Sequence, residues 1–174
     1  MCFAFARIVT KKKEVHVGKI VRIEMENGDV MRAELYPDVA PNTVKNFVGL
    51  VESGFYDGTE FHRVIPGFMI QGGAGVNGRD ADPIAGEFTE NGFRNDLAHE
   101  RGVLSMARTG NPDSASSQFF IMVERAPHLD GKYAAFGRLI DGFEAADAIV
   151  ARKRDHRDCP LEAAVMARVR MEEA

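Results

Sequence analysis

The most distinctive stretch of this chain reads Phe61-His62-Arg63-Val64-Ile65-Pro66-Gly67-Phe68-Met69-Ile70-Gln71-Gly72-Gly73. It sets Arg63 and Gln71 among Phe, Met and Ile side chains, and a Pro-Gly pair divides it into two short apolar segments. On periodicity alone two interpretations stay open. One is a core strand whose arginine faces water. The other is a pocket with apolar walls and a few convergent hydrogen-bond donors, which is typical of a small-molecule or peptide site.

A β-hairpin is predicted on the N-terminal side of this stretch. Residues 21–25 alternate between apolar and polar side chains, which is the period of a half-buried strand. Asn27-Gly28 follows, and this pair favours a tight turn because both residues tolerate positive φ. The alternation resumes over residues 31–35, so the two runs are expected to pair.

An amphipathic helix is predicted after the hairpin. Apolar residues recur at i, i+3, i+4 and i+7 from Val44 to Val51. Pro41 suits the first turn of this helix, because the N–H that proline lacks would have no partner there. Gly54 stands where a left-handed residue commonly ends a helix.

A second helix is predicted over residues 142–152, with Asp141 and Glu144 at the spacing of a capping box. Between and after the helices lie short apolar stretches separated by Gly, Asn and Pro: 61–65, 68–71, 103–107, 118–123, 134–139 and 165–171. Two helices among about eight short strands indicate a closed sheet or a sandwich rather than alternating βαβ units.

Composition limits the class of protein. The chain has 174 residues, which suits one domain with a substantial core, and 45% of them are hydrophobic. Its 22 Lys and Arg residues against 26 Asp and Glu residues give a formal net charge of -4. This charge excludes a nucleic-acid binder driven by basic residues. No apolar run approaches the roughly 20 residues that span a bilayer, so no membrane partner is expected.

The N-terminus is interpreted as an extension over residues 1–14, followed by one domain over residues 15–174. Its lysines follow the apolar run, whereas in a secretory signal the positive charge comes first. Addition of this extension as a strand at the sheet edge is an alternative. Cys2 and Cys159 form no paired framework, so a reduced, cytoplasmic setting is expected.

Several reaction classes find little support in the sequence. Residues 73–78 match the glycine spacing of a dinucleotide-binding loop, but no helix period follows them, so a glycine-rich loop is predicted instead. The five histidines lack the i, i+4 spacing of a zinc hydrolase, and no metal or other cofactor is expected. The serines of residues 114–117 lie outside any Gly-x-Ser-x-Gly elbow. His62 is interpreted as a packing residue rather than a site residue.

Four ordered blocks of sequence resemble the cyclophilin family of peptidyl-prolyl cis-trans isomerases over residues 18–171. The blocks are residues 61–73, Gly102-Val103-Leu104-Ser105-Met106-Ala107, Ser117-Gln118-Phe119-Phe120-Ile121, and Leu129-Asp130-Gly131-Lys132 continuing to Phe136-Gly137. The resemblance implies a mainly β fold, a closed eight-stranded antiparallel barrel capped by two α-helices. It also implies a bacterial-type, cofactor-free isomerase of X-Pro peptide bonds.

The resemblance also implies roles for individual residues. Arg63 takes the place of the catalytic arginine, and Gln71 and Phe120 complete the catalytic set. Gln71 and Gln118 match amides that bind the substrate backbone and order the arginine. The backbone of Arg108 is expected to pair with the substrate chain. The remaining residues implied in substrate binding, which form the proline pocket and its rim, are Phe68, Met69, Ala107, His128, Leu129 and Tyr133.

Three departures from the family pattern bear on specificity. His128 stands where many members have tryptophan, so weak binding of cyclosporin is expected. Tyr133 stands where many members have histidine. The loop over residues 111–116 differs from the usual version, which leaves the preference around the proline open.

The partners expected from the resemblance are proline-containing peptides and unfolded proteins, and the role expected is assistance in protein folding. An alternative function is a proline-peptide binding module or chaperone whose isomerase activity is incidental. A monomer is expected, because no apolar helical stripe is left over for an interface.

Overall fold

The computed structural model describes residues 18–172. The predicted extension over residues 1–14 and Cys2 lie outside the described residues. Within them the elements are β1 (Lys19–Met25), β2 (Val30–Leu35), α1 (Pro41–Glu52), β3 (Phe61–Ile65), β4 (Met69–Gly72), β5 (Val103–Met106), β6 (Phe119–Met122), β7 (Ala135–Asp141), α2 (Phe143–Val150) and β8 (Met166–Met171). Neither α-helix of this part of the chain is long and apolar enough to cross a bilayer.

The eight strands form one antiparallel sheet in the order β3-β4-β6-β5-β7-β2-β1-β8. The mainly β class, the eight strands and the two helices are therefore confirmed. The predicted closed barrel is wrong, because in the described part of the chain no strand ladder joins the edge strands β3 and β8. Within residues 18–172 their edges meet at the single bridge Glu60↔Val165 and a few flanking main-chain hydrogen bonds. The N–H of Val64 on β3 instead bonds to the carbonyl of Asp158 in a loop, so the sheet is an open half-barrel.

The predicted hairpin forms between β1 and β2. Their register pairs Ile23 with Met31 and Glu24 with Val30. The turn through Asn27-Gly28 is closed by a hydrogen bond from the N–H of Met25 to the carbonyl of Asp29, at 2.8 Å. The alternating pattern of the sequence is reproduced as alternating burial along both strands.

Helix α1 begins at Pro41, as predicted, and its chain reverses at Gly54 with φ of 67°. Its N-terminal amides are satisfied by a distant side chain, the buried carboxylate of Glu87. This carboxylate accepts hydrogen bonds from the N–H of Asn42 at 3.0 Å and of Thr43 at 2.8 Å. Because Ala40 at the N-cap offers no side-chain oxygen, a tertiary contact replaces the local cap.

The capping box predicted at Asp141 and Glu144 is wrong. The N-cap of α2 is Gly142, with φ of 79° and no side-chain cap. A Cβ atom at Gly142 would lie 2.1 Å from the carbonyl oxygen of Val30, so this position requires glycine. The intervening glycine turns Asp141 away from the helix, and its carboxylate accepts from the N–H of Gly142 instead.

Two apolar clusters cover the two faces of the sheet. The larger one includes residues of both helices, among them Phe47 and Ile149. The smaller one lies on the opposite face and is built from Met69, Val103, Phe120, Met122, Ala126, Leu129 and Ala135. Strand β6 is buried on both faces, which explains its unbroken run of apolar residues. The smaller cluster is the floor of the site described next.

Candidate active site

A row of side chains crosses four neighbouring strands on one face of the sheet. The register places Arg63 of β3 opposite Gln71 of β4, Gln71 opposite Phe120 of β6, and Phe120 opposite Ser105 of β5. Residues directly opposite each other in an antiparallel pair project to the same face. The sheet therefore brings together the three residues predicted to be catalytic, although 57 positions separate Arg63 from Phe120 (120 − 63).

The row opens into a cleft of about 490 Å³. Ten of the eleven predicted site residues line it: Arg63, Phe68, Met69, Gln71, Ala107, Arg108, Phe120, His128, Leu129 and Tyr133. The remaining one, Gln118, contacts the lining through Gln71. The roles of these residues stay predictions, but their position around one hollow is observed.

The walls of the cleft come from both a strand and two loops. The ring of Phe120 meets that of Tyr133 edge to face, with centroids 5.9 Å apart. The ring of Phe68 lies 5.6 Å from that of His128. Met69 and Leu129 are buried and close the floor. The hollow thus has apolar sides and a polar rim, as a site for a small ring requires.

The Arg63 guanidinium is exposed at one end of the row. Within residues 18–172 it makes no hydrogen bond or ion pair, so its donors remain available to a bound peptide. The side-chain amide of Gln71 donates to the side-chain oxygen of Gln118 at 3.0 Å. The expectation that these two amides order the arginine is not met by a direct contact in this structure.

Arg108 is held differently, in a way that no sequence pattern predicted. Its guanidinium lies between two aromatic rings, 4.9 Å from the centroid of Phe88 and 4.6 Å from that of Tyr133. It donates to the carbonyl of Lys132 through two nitrogens, at 2.8 and 3.2 Å, and to the carbonyl of Thr109 at 2.9 Å. This cation is therefore fixed at the rim of the cleft.

A polar trio around the buried ring of His99 supports the cleft from below, and sequence reasoning missed it. The ring of His99 lies between the hydroxyl of Ser105 and the carboxylate of Asp130, with 3.0 Å on each side. Since a carboxylate only accepts, Nδ1 donates to Asp130, and Nε2 accepts from Ser105. Burial lowers the pKa of His99 in spite of the opposing effect of Asp130, which agrees with this neutral tautomer.

A second hollow of about 450 Å³ lies against α1, but it lacks the features of the cleft. It is lined by Asn42, Lys45, Asn46, Gly49, Leu50, Ile84 and Ala85. It has one cation and no aromatic wall, so nothing in it would hold a ring. In the described part of the chain no three His, Cys, Asp or Glu side chains cluster as metal ligands would.

Comparison with known proteins agrees with this geometry. The family model for cyclophilin type peptidyl-prolyl cis-trans isomerase/CLD matches residues 20–171. A peptidyl-prolyl cis-trans isomerase of Arabidopsis thaliana is 42% identical over 143 residues, which cover 81% of this chain and 88% of that protein. A peptidyl-prolyl cis-trans isomerase-like 2 of Cryptococcus neoformans is 44% identical over 144 residues, 80% of this chain but only 25% of that longer protein.

Solved structures lead to the same family. The crystal structure of a cyclophilin type peptidyl-prolyl cis-trans isomerase from Cryptosporidium parvum superimposes with a TM-score of 0.80 at 32% identity, covering 90% of this chain and 99% of that one. A second structure of that protein, in the presence of the dipeptide Ala-Pro, gives a TM-score of 0.76. With the family model spanning the sheet and both helices, the chain belongs to the cyclophilin-type peptidyl-prolyl cis-trans isomerases.

Proposed function

We propose that the cleft binds a proline ring and accelerates rotation of the peptide bond before it, with Arg63 as the catalytic cation. Uncatalysed rotation faces a barrier of about 18–20 kcal/mol, because lone-pair delocalisation gives the C–N bond partial double-bond character. No covalent bond breaks during rotation, so the reaction requires only that the twisted amide be bound more tightly than the planar one.

Arg63 supplies this differential binding. As the amide twists, conjugation is lost and the proline nitrogen becomes basic. A guanidinium beside it then donates a stronger hydrogen bond to that nitrogen, or stabilises the displaced carbonyl, than it does to the planar amide. Each ~1.4 kcal/mol of such preference accelerates rotation tenfold. The support for this role is that the donors of Arg63 are unoccupied among the described residues, at the edge of the hollow.

The apolar walls fix one side of the rotating bond. Phe68, Met69, Phe120 and Leu129 enclose a space suited to a proline ring. With the ring held, the preceding residue is the part that turns. Low polarity around the ring also strengthens the electrostatic interaction between the guanidinium and the twisted amide. Gln71 and Gln118, which bond to each other at 3.0 Å, stand beside the arginine where a substrate backbone would pass.

The alternative is a binding module that holds proline peptides without turnover. The structure of the Cryptosporidium relative with Ala-Pro supports a proline ligand for this cleft under either function. Catalysis is favoured by Arg63, whose guanidinium lines the hollow with donors that no other described residue occupies, so that they can act on the twisted amide. Turnover measured against affinity separates the two functions.

The test is exchange NMR on an Ala-Pro peptide with catalytic amounts of the protein. If the protein is an isomerase, cis–trans exchange of the peptide, which takes tens to hundreds of seconds without a catalyst, becomes rapid at a substoichiometric concentration of protein. If it is a binding module, the peptide resonances shift as the complex forms, but the rate of exchange is unchanged. Absence of both effects would overturn the proposed function.

The wider biological role is also a proposal. We expect an intracellular monomer that acts on X-Pro bonds of unfolded proteins in the cytoplasm, needs no cofactor and binds cyclosporin weakly. The weak drug binding is supported by His128, whose exposed imidazole replaces the larger indole found in many relatives. The monomer is supported by the sparse exposure of large hydrophobic residues, which in residues 18–172 are Ile140 and Leu161.

A further inference from the structure

The charges around the cleft are unlike those of the whole chain. The chain carries a net charge of -4. The described lining of the cleft nevertheless contains two guanidinium groups, Arg63 and Arg108, and no carboxylate. A cleft lined by one sign of charge concentrates ligands of the other sign, and its low-dielectric walls strengthen this effect. The site therefore offers an acidic peptide an attraction that a neutral peptide lacks.

Neighbouring acids do not cancel this charge. Asp130 directs its carboxylate to the buried ring of His99. Glu90 lies 4.0 Å from the ammonium of Lys132. Glu87 is buried at the start of α1, where it caps the helix. In the part of the chain that the structure describes, neither cleft arginine forms an ion pair.

Of the two cations, Arg108 is the one available for recognition of a side chain. Arg63 is required at the rotating amide itself. The Arg108 guanidinium is already oriented by two rings and by three hydrogen bonds to carbonyls. Three of its five N–H donors are used, which leaves two for a ligand. A side chain fixed in advance loses little entropy when it binds.

We propose, on the basis of the function proposed above, that Arg108 gives this isomerase a preference for a carboxylate in the residue directly before the proline. With the proline ring over Phe120, the preceding Cα lies about 3.8 Å from the proline Cα in the trans form and about 2.9 Å in the cis form. The ring of Tyr133 links the two sites, since its centroid lies 5.9 Å from that of Phe120 and 4.6 Å from the Arg108 guanidinium. A Glu side chain at the preceding position would extend toward the rim that Arg108 occupies. The substrate class is thus an acidic X-Pro peptide, and Arg108 is a specificity residue rather than a catalytic one.

The test compares two peptides of equal shape, Ala-Ala-Glu-Pro-Phe and Ala-Ala-Gln-Pro-Phe, by exchange NMR at about 0.01 M and about 1 M salt. At low salt the ratio of kcat/KM for Glu over Gln is expected to be about three- to fivefold, as for one exposed ion pair. High salt should bring the ratio near one, because the screening length falls from about 30 Å to about 3 Å. This measurement needs no variant.

Variants then assign the preference to Arg108. The ratio should fall by about threefold in Arg108→Gln and persist in part in Arg108→Lys, which keeps the charge without the planar stack. Arg94→Gln is the matched control, because Arg94 is an exposed arginine that pairs with Asp96 and does not line the cleft. It lowers the net charge equally and should leave the ratio unchanged. Thermal unfolding confirms that each variant is folded.

The outcomes separate this inference from the proposed function. Equal acceleration of both peptides at low salt overturns the acidic preference and leaves the isomerase intact. A preference that survives in Arg108→Gln overturns the role of Arg108. Acceleration of neither peptide overturns the proposed function itself.

Discussion

The imidazole of His99 lies beneath the ring of Phe120, with centroids 6.1 Å apart and ring planes inclined by 20°. The same imidazole is held by Ser105 on one side and Asp130 on the other. Since Phe120 forms a wall of the proline cleft, the trio fixes the position of that wall. A buried neutral histidine thus supports a wall of the cleft from the interior of the molecule.

The stability of the protein should fall below about pH 6.5 because of His99. Burial lowers its pKa in the folded state below the ordinary value of 6.5. Between these two pKa values the unfolded chain binds a proton that the folded chain does not. Stability therefore rises with pH across this window and is lost as pH falls through it, by up to about 1.4 kcal/mol per pH unit.

Urea unfolding at pH 5 and pH 7 measures this effect. His99→Gln keeps a polar amide but cannot titrate, so the difference in unfolding free energy between the two pH values should shrink. His156→Gln, on an exposed loop, is the control and should leave the difference as in the wild type. An equal pH dependence in His99→Gln and the wild type would contradict the assignment.

Substitution of Phe120 should raise the KM for the substrate and lower the stability of the fold only moderately. Phe120→Leu retains an apolar group but shortens the wall, so KM should rise about three- to tenfold, with a loss of about 1–2 kcal/mol in stability. Phe119→Leu is the matched control, since its side chain packs into the larger cluster on the other face of β6. It should lose similar stability without the change in KM. If Phe120→Leu and Phe119→Leu had the same KM, Phe120 would not be the residue that holds the proline ring.

Removal of the charge on Glu87 should destabilise the protein without altering catalysis. Glu87→Gln weakens the two hydrogen bonds from the N-terminal amides of α1 and removes the favourable contact with the helix dipole. A loss of about 1–2 kcal/mol in unfolding free energy is expected. Glu90→Gln, which is exposed, serves as the control. Wild-type stability of Glu87→Gln in urea would show that this cap is dispensable.

Cyclosporin affinity should increase in His128→Trp. The indole adds apolar area and an N–H donor next to Phe68, whose ring lies 5.6 Å from the present imidazole. A decrease of about tenfold in Kd is expected, equivalent to about 1.4 kcal/mol. Calorimetric titration of the variant and the wild type measures it, with His156→Trp as the control. An unchanged Kd would show that the side chain at position 128 does not contribute to cyclosporin binding.

Local rules accounted for much of this fold. The period of two over residues 21–35 and Pro41 at the start of α1 are features of neighbouring residues, and both predictions are confirmed. The blocks around Arg63 and Phe120 located the cleft, because a family resemblance carries long-range pairing that periodicity does not. Ten of its lining residues were found in this way.

The failures all depend on contacts between distant segments. The prediction of a closed barrel was wrong because the chain beside β3 is a loop near Asp158 rather than β8. The prediction of a capping box at α2 was wrong because the backbone of Val30 leaves no room for a side chain at position 142. Ser105 occurs in an apolar strand and gave no sign of its bond to His99. No local pattern encodes such pairings.

The role of Arg63 is decided by the turnover of Arg63→Ala on an Ala-Pro peptide, followed by exchange NMR together with the peptide's Kd. We expect a loss of about a hundredfold or more in kcat, with binding and thermal stability close to wild type, because Arg63 is exposed and acts on the twisted amide. Arg94→Ala should match the wild type in all three quantities. Near-wild-type turnover in a folded Arg63→Ala protein would show that Arg63 is not the catalytic cation.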